Sequence, residues 1–113
     1  MTIEEYVIAY LTGQLSVPVS GDVPSPKPAS FVTVEKTGGG SSNKIQSATL
    51  AVQAWAESRD AAALLCAAVE TAMDGIVAQP EISRCSLSSS YNFTDTSTKR
   101  YRYQALFDVV HYL

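Results

Sequence analysis

Thr49-Leu50-Ala51-Val52-Gln53-Ala54-Trp55-Ala56 is the stretch whose reading decides the fold. With Ala48 before it, Ala48, Leu50, Val52, Ala54 and Ala56 fall on one side at every second position, the repeat of an extended strand. The other side carries Thr49, Ala51, Gln53 and Trp55, so a tryptophan stands on the face that an ordinary two-layer sheet turns to water. Burying an aromatic ring removes on the order of 150–250 Å² from water, worth several kcal/mol at about 25 cal/mol per Å². That gain requires a register flip that turns the ring to the core, or cover on the second face from the proline segment of the same chain or from a neighbouring subunit. Thr49, Gln53 and Trp55 are therefore the candidate subunit-interface residues.

Outward from this strand the elements follow with little connecting sequence. Ser58 is placed to cap a helix, Asp60 stands in its first turn, and Leu64, Leu65, Ala68, Val69, Ala72, Met73 and Ile76 form its predicted stripe. Gly75 lies near its end and Pro80 prevents continuation. Upstream, Phe31–Lys36 reads as a strand, and Thr37–Lys44 (TGGGSSNK) as a flexible hairpin loop too long for a tight turn. Its Lys36, Gly38, Gly39, Gly40 and Lys44 are the candidate partner-docking residues, with modest positive charge at either side of the glycines.

The chain opens on a helix: Thr2-Ile3-Glu4-Glu5 matches a capping box, Ile3, Tyr6, Val7, Tyr10 and Leu11 recur at helical spacing, and Gly13 is a suitable stop. Residues 16–30 hold four of the five prolines and read as a surface connection. Glu81–Ser90 has a moderate strand signal, Tyr91–Lys99 is turn-rich, and Arg100–Leu113 alternates strongly. The order helix, two strands, helix, two strands predicts an α+β fold. A four-stranded, mainly antiparallel sheet carries both helices on one face, in one domain spanning 1–113.

Composition narrows the function. Such a length buries roughly 65% of its unfolded surface, enough for a single core. Charged residues make up 17%, below the roughly 25% usual for soluble domains, so more of the surface is uncharged. A net charge of −3 disfavours nucleic-acid binding, including by the mixed basic and aromatic run of Lys99, Arg100 and Arg102 with Tyr91, Phe93, Tyr101 and Tyr103. Glu4 and Glu5 stand where a secretory signal would carry cations, and no apolar run reaches the roughly 18 residues of a membrane span. A cytosolic site of synthesis, no membrane and two free thiols, Cys66 and Cys85, are the expectation.

Neither cysteine sits in a nucleophile signature, and His111 is the single histidine, explained equally well as a half-buried strand residue. The spacing offers no zinc site. Gly38-Gly39-Gly40 lacks the G-K-[ST] ending of a phosphate loop and joins two strands. Neither an enzyme nor a cofactor is expected.

The runs V-E-K-T-G-G-G at Val34–Gly40, T-L-A-V-Q-A-W-A at Thr49–Ala56, Y-N-F-T-D at Tyr91–Asp95 and R-Y-R-Y-Q-A at Arg100–Ala105 resemble tail-terminator or head-tail connector proteins of long-tailed bacteriophages and prophages. The element order also suits the lambda gpU-like fold. The resemblance implies a structural virion protein, assembled in the host bacterial cytoplasm, that forms a homo-oligomeric ring, typically a hexamer. Its implied partners are the major tail-tube protein, whose growth it ends, and the head-connector protein. A head-completion protein one ring higher in the neck, or a bacterial protein-binding adaptor, are the alternatives.

Overall fold

The computed structural model describes residues 1–42, 45–94 and 100–112. Helix α1 (Ile3–Gln14) leads through strand β1 (Val19–Ser20) to β2 (Phe31–Ser42) and β3 (Ile45–Ala56). Helix α2 (Arg59–Asp74), a 3-10 turn at Ile76–Ala78, β4 (Ile82–Asn92) and β5 (Tyr101–His111) complete the chain. The sheet has five strands in the order β1-β2-β3-β5-β4. All neighbours are antiparallel except β1, which runs parallel to β2.

The expected α+β class holds, but the sheet has five strands where four were expected, and the element order is helix, three strands, helix, two strands in place of helix, two strands, helix, two strands. The extra strand lies in the proline segment, where Val19 and Ser20 pair with Val32 and Thr33 and the Val32 N–H donates to the Pro18 carbonyl at 2.9 Å. Proline lacks an N–H but keeps its carbonyl, so the short run between Pro18 and Pro24 can still pair at an edge.

The larger correction concerns Thr37–Lys44. It is no loop as far as it is described: β2 runs to Ser42, with Gly38, Gly39 and Gly40 opposite Thr49, Ala48 and Ser47, and Ser42 opposite Ile45. Only residues 43 and 44 separate the paired ends, and they lie outside the described residues. The glycines pair because the facing segment continues the strongly alternating β3 and holds them in register. A register irregularity between Lys36 and Gly38 absorbs Thr37. The final strand ends at His111, and Leu113, like Lys99, is outside the described residues.

Both helices pack on the predicted face of β3. Ala48, Leu50, Val52 and Ala54 meet Ile3, Val7 and Leu11 of α1, Cys66, Val69 and Met73 of α2, and Ala105, Phe107 and Val109 of β5 in one core. The capping box is present: Thr2 Oγ1 accepts from the Glu5 N–H at 3.1 Å, and Glu5 Oε1 from the Thr2 N–H at 3.0 Å. The helix then passes Gly13 and ends at Gln14. Ser58 caps α2, its hydroxyl accepting from the Ala61 N–H at 3.1 Å.

The buried stripe of α2 is Ala62, Cys66, Val69 and Met73, so Val69 and Met73 of the predicted stripe are buried, whereas Leu64 stands two positions from both Ala62 and Cys66, on the opposite side. Leu64 itself is 73% exposed. In a helix this rich in alanine, small side chains leave the hydrophobic phase weakly marked. The same richness makes Arg59–Ala78 apolar enough by length and composition to cross a membrane, with a mean hydropathy of 1.6. In the fold its buried stripe lies on the sheet.

Candidate assembly surfaces

The second sheet face carries the residues singled out around Trp55. That side chain is only 5% exposed, and its cover comes from its own chain. The Phe31 ring, directly across the β2–β3 ladder, stacks on it with centroids 5.3 Å apart at 13°. From the β5 side the Arg102 guanidinium lies 4.8 Å from the tryptophan centroid and 4.4 Å from that of Phe93. Arg102 Nε also donates to the Phe93 carbonyl at 2.6 Å, which fixes the stack. Trp55 Nε1 donates to Thr33 Oγ1 at 3.3 Å, so the polar tip is satisfied as well.

One row of the sheet register extends this arrangement across four strands. Thr33, Gln53, Gln104 and Tyr91 are successive partners in β2, β3, β5 and β4. Gln53 Nε2 donates to Gln104 Oε1 at 2.7 Å, and Gln104 Nε2 donates to the Tyr91 hydroxyl at 2.6 Å. Thr33 Oγ1 closes the row on Gln53 Oε1 at 3.5 Å. Further along, Thr49 Oγ1 donates to Asp108 Oδ1 at 3.0 Å. Arg100 ties the same side to the proline segment, its Nη1 donating to the carbonyls of Pro28 and Ala29, each at 3.1 Å. This face is thus a braced platform, with Thr49 and Gln53 half-exposed on it and Trp55 beneath the surface.

The second candidate group is not a protruding tip but part of a sheet edge. Lys36, Gly38, Gly39 and Gly40 all lie in β2 and are exposed, whereas Lys44 is outside the described residues. The Lys36 N–H is taken by Glu4 Oε2 of α1 at 3.3 Å. Sequence reasoning missed the opposite edge: β4 is exposed from Ser86 to Asn92, including Leu87 and Tyr91. Its serines weakened the strand signal, and the same serines mark it as a strand with little to bury.

Cys66 and Cys85 are free thiols, the first buried and the second half-buried on the helix side. Burial pushes the Cys66 thiol up, although its contact with the Ser90 hydroxyl at 3.6 Å opposes this. Cys85 is pushed up to about 11 by burial, with Asp74 and Asp108 adding to it. Both thiols are protonated at neutral pH, which makes them poor nucleophiles. His111 is buried and held below its ordinary value by burial and by Lys36. Among the described residues, no group of three or more His, Cys, Asp or Glu side chains could hold a metal.

The fold compares with a chain of a solved particle, the virion of a native gene transfer agent. The two share 14% identity at a TM-score of 0.62, over 96% of this chain and 86% of that one. At that identity the likeness speaks for the fold. No curated protein matches the sequence. The family model of the tail completion protein gp17 matches residues 6–112, from the first turn of α1 to beyond the end of β5. The chain therefore belongs to the tail completion protein gp17 family, with a structural role in the tail or neck of a phage-type particle.

Proposed function

We propose that this chain forms a ring, six subunits in the gpU-like form, on the last ring of the tail tube. There it ends tube growth and presents the surface to which the filled head attaches. The observation that carries this reading is the extent of the family match, residues 6–112 of a 113-residue chain, so that the tail role belongs to the fold as a whole. The shape supports it: a sheet braced on one face and covered by helices on the other can bear contacts on several sides without rearranging. Its sparse charge suits close packing of like subunits.

Subunits in a ring meet through two different patches, because a rotation other than a half-turn brings unlike surfaces together. The half-exposed Thr49 and Gln53, with Trp55 as their rigid base, mark a further contact patch on the open sheet face. The partners are the major tail-tube protein below and a head-connector protein above, met during assembly in the host bacterial cytoplasm. The reading assigns no catalytic or metal-binding role to Cys66, Cys85 or His111.

Tail tubes assembled without this protein and then mixed with it in purified form provide the test. We expect it to bind one end of each tube and stop further addition of tube subunits. Tubes that keep growing in its presence would refute termination, and binding to isolated heads in place of tube ends would move the protein one ring higher.

A further inference from the structure

The four long strands alternate in direction, β2 and β5 one way and β3 and β4 the other. The outer long strands, β2 and β4, are therefore opposed, and a copy of the chain displaced sideways sets β4 antiparallel to the neighbour's β2. Both edges are open. The strand β1 covers only Val32 and Thr33 of β2, and Glu4 takes the Lys36 N–H. Beyond Lys36, no described strand lies outside β2, and none lies outside β4.

The open parts also stand at one height. Reading the register across the sheet, Gly38 is in a row with Thr49, Asp108 and Ser86, and Gly40 in a row with Ser47, Val110 and Arg84. The irregularities at Lys36/Gly38 and Leu87/Ser89 flank a single row, that of Lys36 and Leu87, and a further one at Ile82/Arg84 lies at the start of β4. Natural edges are commonly guarded by lysine or proline. From Ile82 to Asn92 the only charged residue is Arg84 and there is no proline.

The glycines supply the independent observation. A glycine inside a strand weakens it and often marks where another backbone comes close. The chain itself requires only one of the three: a Cβ on Gly39 would lie 2.7 Å from the Ser47 carbonyl oxygen and 2.8 Å from Lys36 Cε. Gly38 has nothing within 4 Å of a Cβ, Gly40 has only Ser47 Oγ at 3.8 Å, and no glycine has a positive φ. Nothing inside the chain asks for glycine at 38 or 40.

We propose that the first half of β4 in one subunit pairs antiparallel with Gly38–Ser42 of β2 in a second copy of this chain, joining neighbouring sheets edge to edge. This rests on the ring reading and assigns the glycine segment to the neighbouring subunit, not to the tube. The two edges differ, so the contact repeats from subunit to subunit and closes with the ring.

The test is a cysteine pair, Gly38→Cys with Ser86→Cys, in a Cys66→Ala, Cys85→Ser background, oxidised at concentrations where the wild type assembles. Disulfide-linked multimers running up to the full ring are expected, with neither single variant nor a Gly38→Cys, Leu64→Cys pair giving them. Gly38→Val in the otherwise wild-type chain should raise the concentration for half-assembly about tenfold or more without lowering the thermal midpoint. Assembly of the wild type without linked multimers, equal linking by the Leu64 pair, or unimpaired assembly of Gly38→Val would overturn edge pairing and leave the ring standing. A wild type that stays monomeric both free and on tail tubes would overturn the ring, and the edge contact with it.

Discussion

Trp55 shows how far a single side chain can be read. Its place on the second face of β3 follows from the alternation of Ala48–Ala56, and so does its need for cover. The source of the cover does not, because Phe31 and Arg102 come from strands 24 and 47 positions away in either direction and only the register brings them together. Trp55→Ala should destabilise the fold by about 3–5 kcal/mol, measured by urea unfolding. A loss below about 1 kcal/mol would show that the stack of Phe31, Trp55 and Arg102 contributes little.

The titrating residues give signed expectations at the same scale. A thiol whose folded value is raised destabilises the fold once the unfolded chain ionises. For Cys85 stability is full below the ordinary value of 9.0 and falls as pH rises toward about 11. Thermal midpoints between those limits should decline less in Cys85→Ser than in the wild type. His111 has the opposite window: its value is lowered in the fold, so the unfolded state takes up the proton first, and stability falls as pH drops below about 6.5. His111→Gln should flatten the midpoint as pH falls below about 6.5, and an unchanged slope there would assign the loss to other groups.

At the scale of elements, the sequence carries most where a local rule is strong. The capping box of α1, the Ser58 cap of α2 and the alternation of β3 and β5 are each visible in a few neighbouring residues and present in the fold. What was illegible depended on distant partners. Gly38–Gly40 reads as a loop by composition and is a strand because β3 holds it, and Val19–Ser20 becomes a strand only beside Val32–Thr33. The phase of α2 is the third case, since Leu64 and Met73 look equivalent in sequence and are opposite in the fold. Met73→Ala should cost about 2–5 kcal/mol, whereas Leu64→Ser should change stability by no more than about 0.5 kcal/mol. Equal losses in denaturant titrations of the two variants would contradict the packing of this helix.

At the scale of the whole molecule, the sheet makes the subunit long and narrow, with principal extents of 45 × 23 × 23 Å. Its long strands run side by side with one edge at either flank. The class of the protein was legible from scattered runs such as Val34–Gly40 and Arg100–Ala105, which resembled tail-end proteins, and the family match over residues 6–112 bears out a tail-completion role. The candidate surfaces were less legible, since their exposure depends on which strands end the sheet, and strand order is not written in any local pattern.

The central claim is that this chain ends the growth of a tail tube. The most direct measurement is the distribution of tail lengths, by electron microscopy, in particles made with the gene for this chain disrupted and again with the protein supplied in trans. Termination predicts tubes longer than the wild type and broadly distributed without the protein, and a single wild-type length when it is restored. Tails of wild-type length in its absence would contradict the account.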